Sequence, residues 1–249
     1  MAMTLATAAP APLAAAEKPG IVLVHGAVMD GSTWRPVHDR LAGEGYRVSI
    51  VQMPLTGFDK DVAATKRVLA MQDRPVVLVG HSYGGAVISV AGADPNVKAL
   101  VYVAAFQPDA GESIAALNAR FPMASHIKDV GGGYMIVEPT ALHNDVAADL
   151  SEADAAFLAA AQTATAVSSF GAVLPAAAWR HKPSYGIVAT QDRTVSADLQ
   201  RFMFERSYFR TAVAARALGN GMTGAAARPR STNLAFSTRS LARDAVGVL

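Results

Sequence analysis

The sequence predicts an α/β fold: one mostly parallel sheet with helices on both faces. Three observations carry this. Short runs of consecutive apolar residues, such as Val76 to Val79 and Val97 to Val103, read as strands buried on both faces. They alternate with helix-period segments, and that rhythm calls for parallel strands covered on both sides. Pro75 to Ala91 runs from strand through a tight turn into a small-residue helix without a break. A chain of 249 residues, 51 % hydrophobic and 17 % charged, suits a single domain with a full core.

Residues 1–17 stand apart from the domain that begins at Lys18. Met1 to Ala16 is uncharged, Ala-rich and interrupted by Pro10 and Pro12. Ala14-Ala15-Ala16 offers the small residues a signal peptidase accepts, but there is no charged leader and no firm apolar core. The stretch therefore has two readings: a signal-peptide remnant of a periplasmic or secreted protein, or a disordered start to a cytoplasmic one. No run is long and apolar enough to span a membrane.

Gly20 to Val24 is the first buried strand, ending in His25-Gly26-Ala27. Trp34, Val37 and Leu41 share one face of a helix, and Trp34 is expected in the core. Tyr46 to Val51 alternates as a strand, and Lys60 to Met71 is helical with Val62, Val68 and Leu69 inward. Val97 to Val103 is a further strand, from whose carboxyl end Ala104 to Pro108 leaves. Ligands of such sheets sit at the carboxyl ends of the strands, so the loops after Val24, Val79 and Val103 face one crevice.

From Asp109 to about Pro175 the rhythm breaks into short Ala-rich helical patterns, such as Ser151 to Ala161 behind a Ser N-cap. This insertion reads as a small helical cap. Its Phe121, Met123, Met135, Phe157, Phe170 and Leu174 can either pack the cap or line a pocket. Gly131-Gly132-Gly133 reads as a turn, not a phosphate cradle, because no helix with a P-loop Lys follows. Tyr185 to Ala189 returns to strand, followed by Thr190-Gln191-Asp192-Arg193 and a helix from Ser196 to Met203.

The chemistry centres on Gly80-His81-Ser82-Tyr83-Gly84-Gly85. A hydroxyl at the tip of so tight a turn is held in strained backbone, and Gly80 and Gly84 lack the Cβ atoms that would collide as the helix doubles back. It also stands at a helix N-terminus, where free N–H groups favour developing negative charge. Ser82 is the candidate nucleophile. A Gly-rich turn that merely joins strand to helix does not account for the hydroxyl.

These residues, with Ile21-Val22-Leu23-Val24-His25-Gly26-Ala27 and Trp34, resemble the α/β-hydrolase superfamily. Within it the chain is similar to compact bacterial esterase-like hydrolases related to plant methyl-salicylate esterases and hydroxynitrile lyases, over roughly Lys18 to Glu205. The resemblance implies a serine hydrolase that forms an acyl-enzyme from a small-molecule carboxylic ester, with the backbone N–H groups of Ala27 and Tyr83 as oxyanion hole. It implies Asp192 as the triad acid, with Asp109 as second choice; a turn carboxylate capping the next helix is the structural reading of Asp192. His25 is expected to brace its loop. Hydroxynitrile lyases of this kind usually carry Thr where this chain has Gly26, which favours the esterase.

The triad base should be a His a little under 30 residues beyond Asp192, yet no His follows His181. The corresponding place falls near Gly219-Asn220-Gly221, and Asn220 has no basic nitrogen. His181 precedes its strand, His38 lies on an outer helix, and His81 is expected to point away from the tip. His126 and His143, in the cap, are left as substitutes. Activity is therefore expected to be impaired, and a non-catalytic ligand-binding homologue is the other alternative.

Residues 206–249 form an atypical tail with seven Arg, no Lys and one acid, Asp244. It carries +6 in a chain whose formal net charge is +2, leaving −4 on the first 205 residues. A change of reading frame near Arg206 would produce so abrupt a shift, a hypothesis that resequencing the coding region tests. These Arg lack aromatic interleaving or a helical stripe, so nucleic-acid binding is not expected. There is no Cys, and the six His show no metal-ligand spacing. Neither metal nor cofactor is expected.

Overall fold

A computed structural model describes residues 18–123, 126–207 and 211–214. Its six-stranded sheet comprises β1 (Gly20–Val24), β2 (Val48–Val51), β3 (Val76–His81), β4 (Val97–Val103), β8 (Ser184–Ala189) and β9 (Thr211–Ala214). They stand in the order β2-β1-β3-β4-β8-β9 with every pairing parallel. Val22 lies opposite Leu78, and Leu78 opposite Leu100, so the most apolar strands occupy the centre.

Successive side chains of a strand point to opposite faces, and each face has its own core. Val22, Val24, Leu78, Leu100 and Tyr102 pack against α2 (Phe58–Ala70), α3 (Tyr83–Ala91) and α8 (Ala197–Glu205) through Val62, Leu69, Val87, Leu199 and Met203. Ile21, Leu23, Val77, Val79 and Val101 pack on the other face with Trp34 and with Leu41 of α1 (Arg35–Gly43). Trp34 is buried, as its position on the apolar helix face predicts.

The cap between β4 and β8 holds α4 (Ile114–Arg120), α5 (Pro139–Asp145), α6 (Glu152–Ala160) and α7 (Ser168–Gly171). To these helices it adds a three-stranded antiparallel sheet of β5 (Ile127–Gly131), β6 (Tyr134–Val137) and β7 (Thr165–Ala166). Gly131, Gly132 and Gly133 make the β5–β6 turn with φ of 85°, 64° and 81°, a conformation costly for any residue with a Cβ. The β-branched and aromatic run that follows them favours a strand over the expected helix. Phe157 faces solvent, whereas Phe121, Phe170 and Leu174 pack on the main core.

β9 pairs parallel with β8, Thr211 opposite Gly186 and Ala214 opposite Ala189. Arg206, where the composition changes, is built into the fold: its guanidinium donates to Glu112 Oε1 at 2.7 Å and to the Gln107 carbonyl at 2.8 Å. Residues 1–17, Gly219-Asn220-Gly221 and the rest of the tail beyond 214 lie outside the described residues.

Two contacts pin α3 to its surroundings. The first turn of α3 passes so close to the end of β1 that a Cβ on Gly84 would lie 2.5 Å from the His25 carbonyl oxygen and 2.7 Å from that of Val24. Tyr83 donates its hydroxyl to Asp61 Oδ2 at 2.7 Å, and Leu55 donates its N–H to Asp61 Oδ1 at 2.8 Å. Asp61 is fully buried in the first turn of α2. Desolvation raises its pKa above the ordinary carboxyl value, against the opposing pull of these two hydrogen bonds.

Gly84→Ala must therefore displace backbone and should cost about 1–3 kcal/mol in chemical denaturation. Gly171→Ala, where a Cβ meets open space, should stay within about 0.5 kcal/mol of wild type. Asp61 binds its proton more tightly folded than unfolded, so its contribution to stability falls as pH rises from about 3.8 through its raised pKa. Asp61→Asn removes the charge and keeps the Leu55 bond, with its amide nitrogen facing the Tyr83 hydroxyl as a donor. Relative to that variant, the wild type should lose stability across this window with a slope of at most about 1.4 kcal/mol per pH unit.

Candidate active site

β3 ends at His81 and α3 begins at Tyr83, so Ser82 alone makes the turn between them, at φ 51° and ψ −122°. This conformation costs a residue with a side chain about 1–3 kcal/mol and persists only where the surroundings enforce it. They do: Ser82 donates its N–H to the Val103 carbonyl at 3.3 Å, while its own carbonyl accepts from Gly85 at 3.0 Å and Phe106 at 3.1 Å. The remaining non-glycine residues with positive φ among the described residues are Val28, Leu55 and Ala104. They follow β1, β2 and β4, so strain gathers along the carboxyl edge of the sheet.

The turn after β1 runs beside the Ser82 hydroxyl. A Cβ placed on Gly26 would lie 3.2 Å from Ser82 Cβ, 3.6 Å from Ser82 Oγ and 3.2 Å from His81 Nδ1. Among the described residues, neither Ala27 nor Tyr83 donates its backbone N–H to a partner. The cap clasps the next residue: Val28 donates its N–H to Thr165 Oγ1 at 2.8 Å and accepts at its carbonyl from Thr163 N–H at 3.0 Å. This clasp joins residues 137 apart in sequence, and no linear signal announces it.

His25 is fully buried and accepts the Met53 N–H on Nε2 at 3.0 Å. Its proton must then sit on Nδ1, which donates to the Gly26 carbonyl at 2.8 Å. Burial lowers its pKa, in keeping with this neutral tautomer, and the ring braces the loop as the sequence predicts. His81, expected to turn from the tip, packs edge-on against Trp34 and still reaches the wall of a cavity. Desolvation, with a smaller contribution from His25, pushes its pKa down to about 4.

That cavity, of about 380 Å³, lies between the elbow, the end of α5 and the loop after β8, and Asp192 lines it together with His81. Asp192 Oδ1 accepts from the Thr194 N–H and hydroxyl, each at 2.8 Å, and from Val195 N–H at 2.9 Å. Its Oδ2 accepts from Gln200 Nε2 at 3.1 Å. Burial raises the Asp192 pKa, and these hydrogen bonds oppose the rise. The carboxylate thus organises the turn into α8, whose N-cap is Ser196. Gln200 is a supporting residue that the sequence does not single out; its Oε1 also accepts from Ala189 N–H at 2.9 Å.

Asp109 pairs with Arg180, which holds its carboxyl below the usual range, and it does not line the cavity. His126 Nδ1 lies 2.6 Å from Asp145 Oδ2, and His143 Nε2 donates to the Leu150 carbonyl at 3.1 Å. Both histidines are therefore engaged within the cap. His38 pairs with Asp39 on the exposed face of α1, and His181 is exposed ahead of β8. No group of three or more His, Cys, Asp or Glu able to hold a metal ion occurs among the described residues.

The curated relatives match less than half of their own length. The chain is 36 % identical over 113 residues to a carbendazim hydrolyzing esterase of Nocardioides sp. strain SG-4G, covering 39 % of this chain and 46 % of that protein. Methylesterase 8 of Arabidopsis thaliana is 29 % identical over 119 residues, or 42 % of this chain and 44 % of the relative. Among solved structures, polyneuridine aldehyde esterase superposes with a TM-score of 0.74 at 18 % identity, over 93 % of this chain and 99 % of that one. A pyrethroid hydrolase from Sphingobium faniae JZ-2 gives 0.65 at 20 %, over 82 % and 90 %. Identities this low carry the fold alone. The alpha/beta hydrolase family matches over residues 21–224, most of the chain and all but the first residue of the six-stranded sheet, and to that family this protein belongs.

Proposed function

We propose that this chain is a serine hydrolase for small carboxylic esters that works through an acyl-enzyme on Ser82. The observation that carries the reading is Ser82 at a strained turn, its Oγ 3.6 Å from the point a Cβ on Gly26 would occupy, with no partner for the Ala27 and Tyr83 N–H groups among the described residues. In the reaction Ser82 Oγ adds to the ester carbonyl, and the two N–H groups stabilise the oxygen as it becomes negative. Loss of one such donor typically costs about 10² to 10³ in rate. The N-terminus of α3 adds a favourable field at the same point. Relatives named as esterases support the choice of ester over other acyl substrates.

Asp192 would orient an imidazole and stabilise its cation, yet no His follows it in this sequence. A serine enzyme without its base loses roughly 10⁴ to 10⁶ in rate, while the oxyanion hole and binding retain about 10³ to 10⁴ over water. Slow Ser82-dependent turnover is the consequence. A hydroxynitrile-lyase-like reaction fits less well, because a side chain at Gly26 would press on His81 and Ser82.

Ser82→Ala is expected to abolish fluorophosphonate labelling and reduce p-nitrophenyl butyrate hydrolysis to the uncatalysed background. Its stability should stay within about 1 kcal/mol of wild type, because the change removes one hydroxyl from a half-buried side chain. Equal hydrolysis by wild type and variant would refute the reading. Absence of labelling in the folded wild type would instead favour a ligand-binding homologue without turnover.

A further inference from the structure

We propose that the two-residue cap strand β7 is a positioning element for the oxyanion hole: Thr165 sets the Ala27 arm, and Ala166, through Leu55 and Asp61, sets the Tyr83 arm. The catalytic half of this proposal rests on the serine-esterase reading; the hydrogen-bonded bracket itself does not.

The Ala27 arm needs a hold from outside its own loop. Val28 follows Ala27 directly and sits at φ 56°, a conformation that a β-branched residue adopts only where its surroundings impose it. One cap segment takes both of its backbone groups, the N–H at Thr165 Oγ1 (2.8 Å) and the carbonyl at the Thr163 N–H (3.0 Å). Thr165 is fully buried, and its hydroxyl donates to the Thr163 carbonyl at 3.4 Å, so the oxygen is left to accept. Only the two torsions of Ala27 separate the peptide plane of the Val28 N–H from the plane that carries the Ala27 N–H. A Val28 released to an ordinary φ would therefore re-aim that donor.

The Tyr83 arm runs through a buried carboxylate. The Tyr83 ring packs against Phe58 and Phe170, with centroids 6.2 and 5.6 Å away, and its hydroxyl donates to Asp61 Oδ2 at 2.7 Å. Asp61 Oδ1 takes the Leu55 N–H at 2.8 Å, and the Leu55 carbonyl takes the Ala166 N–H at 2.8 Å. Leu55 is itself strained, at φ 56°. Thr165 and Ala166 are consecutive and paired by β6, so one extended dipeptide ties both loops. A continuous run of hydrogen-bonded residues thus joins the neighbour of one donor to the side chain of the other. Such a bracket bears on rate because an oxyanion donor acts only when it is aimed where charge develops. Thr165 and Asp61 are fully buried and touch no substrate; each acts through the residue it holds.

The test compares Thr165→Val, which keeps the shape and removes the acceptor, with Thr165→Ser, which keeps the acceptor. Hydrolysis of p-nitrophenyl butyrate by the full chain is measured after subtraction of the Ser82→Ala rate. Thr165→Val should lower kcat about tenfold or more, a part of the roughly 10² to 10³ that a whole donor supplies, with KM held within about threefold. Thr165→Ser should recover kcat to within about threefold of wild type. Ser113→Ala removes the N-cap bond of α4 elsewhere in the cap, and should lower stability while leaving kcat within about twofold. Tyr83→Phe removes the bond to Asp61 and keeps the backbone N–H; it should lower kcat with KM held, and it tests the bracket even where Thr165→Val does not fold. Hydrogen exchange at the Val28 amide, about tenfold or more faster in Thr165→Val than in Thr165→Ser, reports the clasp without any need for activity.

An unchanged kcat in Thr165→Val with the Val28 amide released would overturn the positioning role of Thr165, and so would equal losses in Thr165→Ser or Ser113→Ala. An unchanged kcat in Tyr83→Phe would overturn the second arm, and an unchanged Val28 exchange rate would overturn the clasp. Should the wild type neither label with a fluorophosphonate nor hydrolyse ester through Ser82, the esterase reading has failed and the catalytic half falls with it, while Val28 exchange still decides the bracket.

Discussion

The close crossing of α3 over the end of β1 is the constraint on which the rest of the site depends. The polypeptide leaves β3, reverses at Ser82 and enters a helix whose first turn touches the carbonyl oxygens of Val24 and His25. Only a chain lacking Cβ at Gly84 can approach so near. Because the approach is this close, the loop after β1 and the helix N-terminus share one small region. Ala27 and Tyr83, whose N–H groups are the proposed oxyanion donors, and Ser82 belong to that region.

Strain at this edge is distributed and separately held. Four residues with side chains, Val28, Leu55, Ser82 and Ala104, adopt positive φ just beyond four neighbouring strands. Each has its own restraint. Thr163 and Thr165 hold Val28, Asp61 and Ala166 hold Leu55, backbone partners hold Ser82, and the Ile187 carbonyl accepts the Ala104 N–H at 2.9 Å. Two of these restraints come from the cap strand β7. The cap is therefore more than a cover: it fixes the backbone beside the proposed oxyanion donors.

Charge is arranged more economically. The elbow side is kept neutral, with His25 in a defined tautomer and His81 depressed to about 4, while a buried carboxylate at Asp61 and a half-buried one at Asp192 complete the set. Asp61 spends its hydrogen-bonding capacity on the packing of Tyr83. Asp192 spends most of its own on the turn into α8, through three donors to Oδ1 and one, Gln200, to Oδ2. A site built this way keeps its architecture whether or not a base is present, because none of the groups that shape it depends on one.

Much of this was legible in the residues because the relevant physics is local. Apolar runs set β1, β3 and β4 almost to the residue, and the Gly80–Gly85 run set the reversal, since backbone sterics act between near neighbours. Other features arise between residues far apart in the chain and have no local signature. The β6–β7 pairing in the cap, the Val28–Thr165 clasp and the engagement of His126 with Asp145 are all of this kind. The sequence by itself determined the fold class, the position of the reversal and the absence of any His beyond His181. Only the tertiary structure decided which groups share a cavity and which are already committed to partners, because that depends on three-dimensional packing and on competition for each hydrogen bond.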